Sequence, residues 1–198
     1  MRRVGAFLVG VLGLVSVASA GNIDGKIMGW SGKSLSRPAV VWLEGVQMSV
    51  SGRADPVMAQ RAGQFTPSFL VVVAGQTVEM PNEDDVAHNV YSVSAAKTFD
   101  LGYYAKGELE TVTFDRPGMV EVGCRIHSFM RARILVVPNP YYSMVAADGS
   151  FRIHNVPAGE FAITLWGDGM TSFRQEVTVP EGGKPLILHL PSPTLLQE

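Results

Sequence analysis

The sequence contains very little cysteine, histidine and charge. Among 198 residues there are one cysteine, four histidines and 17% charged residues, and the formal net charge is −2. One cysteine cannot form a disulfide within the chain, and a near-neutral charge gives no indication of binding to nucleic acid or to an anionic membrane. Hydrophobic residues make up 46% of the chain, which is typical of a globular protein with one large or two small domains.

The first twenty residues differ from the rest. Arg2 and Arg3 precede an apolar run, and the small residues "ASA" precede Gly21. This order predicts a secretory signal peptide over residues 1–20, and hence a periplasmic or secreted protein. The alternative is a membrane anchor, for which the apolar run is short. In an oxidising compartment, a lone thiol is buried, paired with another chain or bound to a metal.

Helical periodicity is almost absent after residue 20. Short runs rich in β-branched and aromatic residues alternate with Gly, Pro, Asn and Asp, which predicts an all-β protein. The predicted strands are "NIDGKIMG", "AVVWLEG", "SFLVVVAG", "QTVEM", "AHNVYSV", "ETVTF", "GMVEVGC", "RILVVP", "GSFRIHNV", "EFAITLWG", "RQEVTV" and "PLILHL".

One short segment, "VGCRIHSFMRA", contains the only cysteine. Cys124 is followed at intervals of three residues by His127 and Met130. The two-residue period of a strand places Val120, Val122 and Cys124 on one apolar face. Cys124 is therefore expected to end a strand with its side chain directed into the core.

A second histidine lies in the predicted strand "AHNVYSV". The same period places Val86, His88 and Val90 on one inward face. A polar side chain there is costly unless something binds it. His88 is either bound to a backbone carbonyl in the core or holds a ligand.

Thiolate, imidazole and thioether form a soft donor set. One Cys and two His in a plane, with a long axial Met, is the arrangement of blue copper sites. We therefore predict one copper ion bound by His88, Cys124, His127 and Met130. A structural zinc site would have more Cys or His and no Met, a Cys nucleophile beside a His is conceivable, and Met130 alone could simply fill the core.

The segments "AHNV" and "GCRIHSFM" resemble those of the cupredoxins, the family of plastocyanin, azurin and amicyanin. The wider stretch, about residues 65–137, is similar to bacterial plastocyanin-like proteins of the methylamine-utilisation type. The resemblance implies a Greek-key β-barrel or sandwich and the same four copper ligands. It also implies that Asn89 joins the two ligand-bearing segments by hydrogen bonds, which orient the ligands.

Two features of the ligand loop lead to further expectations. Arg125 stands where relatives more often carry a neutral residue, and a cation there disfavours Cu(II), so we expect a raised reduction potential. An unchanged potential in an Arg125→Asn variant would refute this. The exposed edge of His127, ringed by Ile126 and Phe129, is the expected electron port and partner-docking surface.

The C-terminal part has a different pattern. "DGSFRIHNVPAGEFAITLW" is similar to the transthyretin-like modules attached to carboxypeptidases and sugar-binding proteins, which usually begin with a strand pair. We expect a cupredoxin domain over residues 46–140, inserted into a small β-sandwich made of residues 21–45 and 141–198. Two domains in simple succession are the alternative.

Several polar and aromatic residues receive no role in the site. His154 and His189 lie among apolar strand residues and are interpreted as structural. The segment "EDD" at residues 83–85 follows Pro-Asn and is interpreted as a turn. Trp30, Trp42 and Trp166 are expected in the core of the small sandwich.

These features favour transfer of single electrons by a copper protein that is not itself an enzyme. The resemblance suggests a c-type cytochrome or a periplasmic dehydrogenase as the redox partner. The alternatives are a periplasmic copper carrier or store, and a sugar- or protein-binding module in which copper is structural. A multicopper oxidase or nitrite reductase would need further histidines, and only His154 and His189 remain.

Overall fold

A computed structural model describes residues 20–30, 38–46 and 54–194, so that the predicted signal peptide lies almost entirely outside the described residues. Over these ranges no helix is long and apolar enough to span a membrane.

The all-β prediction is confirmed. The strands are β1 (Gly21–Ile27), β2 (Ala39–Glu44), β3 (Ala59–Arg61), β4 (Gln64–Thr66), β5 (Phe69–Val73), β6 (Gln76–Pro81), β7 (His88–Ser94), β8 (Lys97–Tyr104), β9 (Leu109–Phe114), β10 (Gly118–Gly123), β11 (Arg131–Val137), β12 (Tyr142–Met144), β13 (Ser150–Val156), β14 (Gly159–Gly167), β15 (Phe173–Val179) and β16 (Leu186–Leu190).

Strands β3 to β11 form one β-sandwich, which we call the central sandwich. Its main sheet has the order β5-β11-β10-β7-β8, and β6 pairs with β9 across the core. Alternate residues of these strands are apolar and buried, because successive side chains of a strand point to opposite faces. The resulting core includes Val78 and Phe114 on one side and Val90, Val120 and Ile134 on the other.

The remaining strands form a second sandwich, which we call the flanking sandwich. Its sheets have the orders β13-β1-β16 and β12-β2-β14-β15. Each sheet therefore combines strands from before and after the central sandwich in the chain. This unit has its own core. Ile23 and Ile153 of the first sheet are buried there together with Leu43, Ile163 and Leu165 of the second sheet.

The two sandwiches contact each other through a third apolar cluster. Val40 of the flanking sandwich is buried with Leu135 and Val137 of the central sandwich. The ring of Trp166 stacks on that of Phe69, with centroids 5.9 Å apart and planes 2° from parallel. The expectation that Trp42 and Trp166 serve the core of the small sandwich is wrong, because both pack in this interface cluster. Trp30, in contrast, packs against the core of the flanking sandwich as expected.

Asn139 joins the chain segments where they cross between the sandwiches. Its Nδ2 donates to the carbonyl of Leu43 at 2.7 Å, and its Oδ1 accepts from the N–H of Tyr141 at 3.0 Å. Asn139 is 1% exposed. These bonds hold the end of β2 beside the start of β12, so the chain leaves and re-enters the flanking sandwich at one place.

Four strands were not predicted: β3, β4, β8 and β12. Strand β8 has the sequence "KTFDLGYY" and lies at the edge of the main sheet, with mostly half-buried or exposed residues. Its polar residues and glycine conceal the strand pattern, because an edge strand needs no continuous apolar face. Pairing with β7 decides its conformation.

Candidate metal centre

The predicted donors come from two separate parts of the central sandwich. His88 begins β7, whereas Cys124 directly follows β10. Gly123 of β10 pairs with Arg131 of β11, so residues 124–130 form the connection between these two strands. Within it, the N–H of Met130 donates to the carbonyl of His127 at 2.9 Å, which closes a tight turn.

The structure brings His88, Cys124 and His127 together. The Nδ1 atoms of the two histidines are 3.1 Å apart, the Cys124 Sγ lies 3.9 Å from the His127 Nδ1, and all three donor atoms lie within 4.8 Å of one another. A metal ion lies about 2.0 Å from a histidine nitrogen and about 2.3 Å from a cysteine sulfur, so one ion could lie between donor atoms that are 3.1 Å and 3.9 Å apart. His88, Cys124 and His127 could therefore hold a single metal ion between them.

The donors differ in their contact with solvent. His88 is 1% and Cys124 is 4% exposed, and Cys124 faces inward with Val120 and Val122, as predicted. The ring of His127 is half-buried and lies 5.6 Å from that of Phe129, measured between centroids. Phe129 is 72% and Ile126 is 49% exposed, so the edge of His127 reaches an apolar part of the surface.

Met130 lies at the end of the same connection, directly before β11. Its side chain is 1% exposed and belongs to the core cluster that also contains Cys124, Val122 and Ala132. This position is compatible with the predicted axial ligand and also with a side chain that only fills the core.

Asp84 orients the His88 ring. Its carboxylate lies 2.9 Å from the Nε2 of His88 and also accepts the N–H groups of Ala62 and Gly63, in the turn between β3 and β4. Partial burial of the Asp84 carboxyl raises its pKa, but the hydrogen bonds from Gly63, His88 and Ala62 outweigh this and lower the pKa below its ordinary value. The ionised carboxylate only accepts, so His88 carries its proton on Nε2 and offers the Nδ1 lone pair to the site.

The interpretation of residues 83–85 as a turn was therefore incomplete. Asp84 does have its backbone N–H bonded to Asn82 Oδ1 at 3.0 Å, as turn chemistry requires. Its side chain, however, is the partner of a predicted metal ligand. The available signal was a carboxylate four residues before a histidine, which is common and gives little information without the fold.

The expectation that Val86 faces the core is wrong. Val86 is 55% exposed, whereas His88 and Val90 are buried. The physical reason is that β7 begins only at His88. Residues before it belong to the loop that carries Asp84, where the two-residue period of a strand does not apply.

Asn89 lies between the two ligand-bearing segments. Its Oδ1 accepts the backbone N–H of Arg125, the residue after Cys124, at 3.3 Å. Its Nδ2 donates to Asp100 Oδ1 at 2.7 Å and to the carbonyl of Gly102 at 2.9 Å. The side chain of Asn89 is thus fixed from β8 while it holds the ligand loop.

The side chain of Arg125 is directed along the surface towards β8. Its Nε lies 2.9 Å from Asp100 Oδ2, and its guanidinium lies 4.4 Å from the centre of the Tyr91 ring. Asp100 lies beside the guanidinium of Arg125 and offsets part of its positive charge.

The chemistry of the donor set favours copper. A thiolate together with two imidazoles is a donor set that suits copper, whereas a structural zinc site would present four Cys or His donors. His88, Cys124 and His127 are the one such group in the described part of the chain. His154 and His189 lie on exposed positions of the flanking sandwich.

Solved structures that are similar to this chain include two amicyanin mutants and a purple cupredoxin. A Cu(I) form of an amicyanin mutant is 20% identical with a TM-score of 0.40, covering 49% of this chain and 98% of that chain. A reduced form of another amicyanin mutant is 21% identical with the same TM-score and coverage. A purple cupredoxin from Nitrosopumilus maritimus is 23% identical with a TM-score of 0.39, covering 42% of this chain and 100% of that chain. No family model and no curated protein matches the sequence.

Proposed function

We propose that this protein is an exported type 1 copper protein of the cupredoxin kind, which transfers single electrons between redox partners and is not itself an enzyme. The observation that carries the proposal is the convergence of the Cys124 sulfur and the Nδ1 atoms of His88 and His127 within 4.8 Å. Met130 is the proposed fourth ligand, and Asn89 and Arg125 support the ligand loop.

The bound copper would supply one-electron redox chemistry between Cu(II) and Cu(I). The protein contributes a fixed geometry: β7 and β10 hold His88 and Cys124 in a buried sheet, and Asn89 ties the loop to β7. Donors that move little between two oxidation states lower the cost of each transfer, because less of the surroundings must rearrange.

His127 is the proposed electron port, with Ile126 and Phe129 as the surface that partners contact. Their exposure gives a small apolar surface beside a metal ligand. Small contacts suit redox partners, which must bind and separate quickly. A c-type cytochrome or a periplasmic dehydrogenase is the proposed partner class.

We further propose that residues 46–140 form the copper domain and that residues 21–45 and 141–198 form one transthyretin-like sandwich around it. The sheet pairings support this division, since β1 pairs with β13 and β16, and β2 pairs with β12 and β14. The signal peptide over residues 1–20 would direct the protein to the periplasm or outside the cell.

The test is the visible absorption spectrum of the mature protein loaded with Cu(II), beside a Cys124→Ser variant. We expect an intense thiolate-to-copper band that is absent in the variant, together with reversible one-electron reduction. A protein that binds copper without this band, or binds only Cu(I), would contradict electron transfer and favour a copper carrier.

A further inference from the structure

Asp100 lies on β8, directly across from Tyr91 of β7. Between this pair and the next, Asn89 with Tyr103, the register shifts because β8 contains one additional residue. Gly102 lies in this bulge with a φ of 71°, a conformation that favours glycine. Bulges next to functional sites commonly redirect side chains, and this one places Asp100 and Gly102 beside the same side chain of β7.

Both carboxylate oxygens of Asp100 are engaged. Oδ1 accepts the Nδ2 of Asn89 at 2.7 Å and the N–H of Gly102 at 3.1 Å. Oδ2 accepts the Nε of Arg125 at 2.9 Å. Asp100 therefore contacts the two residues that directly follow predicted copper ligands, since Asn89 follows His88 and Arg125 follows Cys124.

These contacts form a closed ring. Asp100 accepts a hydrogen bond from the side chain of Asn89. The Oδ1 of Asn89 accepts the backbone N–H of Arg125 at 3.3 Å, and the side chain of Arg125 donates to Asp100. The Arg125 guanidinium covers one side of Tyr91, and a Cβ added at Gly123 would lie 3.2 Å from the same ring. The backbone on both sides of Cys124 is thereby held against β7 and β8.

We propose that Asp100 is a positioning residue of the copper site, which fixes the Cys124 end of the ligand loop through Asn89 and Arg125 and offsets the charge of Arg125. This inference rests on the proposed copper function. Asp100 contacts no donor atom itself. Its contribution is made through the two residues that hold the donors in place.

The experiment compares copper-loaded full-length wild type with Asp100→Asn, Arg125→Gln and the double variant. Asp115→Asn is the matched control, because Asp115 is also an exposed carboxylate of the central sandwich, in an ion pair with Lys97. Reduction potential, the visible band and copper affinity in competition with a chelator are measured. The unfolding midpoint of each apo form reports on stability.

A positioning role and a purely electrostatic role of this ring of contacts predict different Cu(II) affinities. If the ring positions Cys124, both Asp100→Asn and Arg125→Gln bind Cu(II) about tenfold more weakly than wild type, within the range for residues that orient metal ligands. If only charge matters, Arg125→Gln binds Cu(II) more tightly, and this result would overturn the inference. The potential rises in Asp100→Asn, falls in Arg125→Gln and returns towards wild type in the double variant.

The remaining outcomes are also decisive. Asp115→Asn keeps the wild-type affinity and potential. Asp100→Asn with the affinity, spectrum and potential of this control would refute the role of Asp100, while a blue wild type would leave the proposed function intact. A wild type without the band refutes the proposed function itself. If Asp100→Asn does not fold, Arg125→Gln provides the test, because it removes the same ion pair while leaving Asp100 in place.

Discussion

Replacement of Asp84 by Asn tests how the His88 ring is held. In the native protein, Oδ2 of Asp84 accepts both the Gly63 N–H at 2.8 Å and the His88 Nε2 at 2.9 Å. The single oxygen of Asn would take this place. Its NH₂ group then faces the Ala62 N–H, so two donors meet where a donor and an acceptor met before.

The expected magnitudes follow from the surroundings of these groups. The Ala62 N–H is exposed, so water can replace its lost partner, and the apo protein should lose only about 1 kcal/mol of unfolding free energy. The expected loss of copper-binding free energy is larger than this loss of stability. A neutral Asn holds the His88 tautomer less firmly, and loss of such a partner weakens metal binding about 10-fold to 100-fold, equivalent to about 1.4 to 2.7 kcal/mol.

The assay combines three measurements on Asp84→Asn and on Asp85→Asn. Asp85 is the adjacent carboxylate, with a side chain that is 88% exposed and paired with Lys106. Chemical denaturation followed by tryptophan fluorescence gives stability, competition with a chelator gives copper affinity, and nitrogen NMR of the histidine rings reports the His88 tautomer. Equal copper affinity in the two variants would refute the reasoning.

Three further predictions concern other parts of the structure. Met130→Leu should raise the reduction potential and change the apo stability by less than about 1.5 kcal/mol; voltammetry showing no shift would indicate that Met130 only fills the core. Asn139→Ala should lower stability by about 1 to 3 kcal/mol, because the buried N–H of Tyr141 loses its acceptor, and calorimetry with an unchanged midpoint would contradict this. Partial burial raises the pKa of Glu44, but hydrogen bonds from the side chains of Arg174 and Thr164 lower this pKa below its ordinary value of 4.5. Glu44→Gln should therefore be less stable than wild type at neutral pH, with a difference that shrinks as the pH falls below that value; a difference that is constant with pH would count against the ion pair.

Local patterns in the sequence predicted much of the fold and pointed to three donor residues that the structure places together. The two-residue period placed Cys124 at the inward end of a strand, and most strands of both sandwiches were found in this way, because a buried face needs alternate apolar residues. The spacing of Cys124, His127 and Met130 was informative for a similar reason. All three lie on one short connection between paired strands, where separation along the chain approximates separation in space.

The tertiary structure decided what separation along the chain cannot indicate. His88 lies 39 positions before His127, and only the pairing of β7 with β10 brings them together. Asp84 was interpreted only as a turn residue and Asp100 received no role, since a carboxylate has the same local pattern whether it faces water or a ligand. The effect of Arg125 on the copper was predicted from its own charge, but its partner Asp100 lies on an edge strand that the sequence pattern did not predict. The sequence by itself thus determined which atoms could bind a metal, whereas the fold determined which charges and hydrogen bonds surround them, because electrostatic effects depend on distances in space.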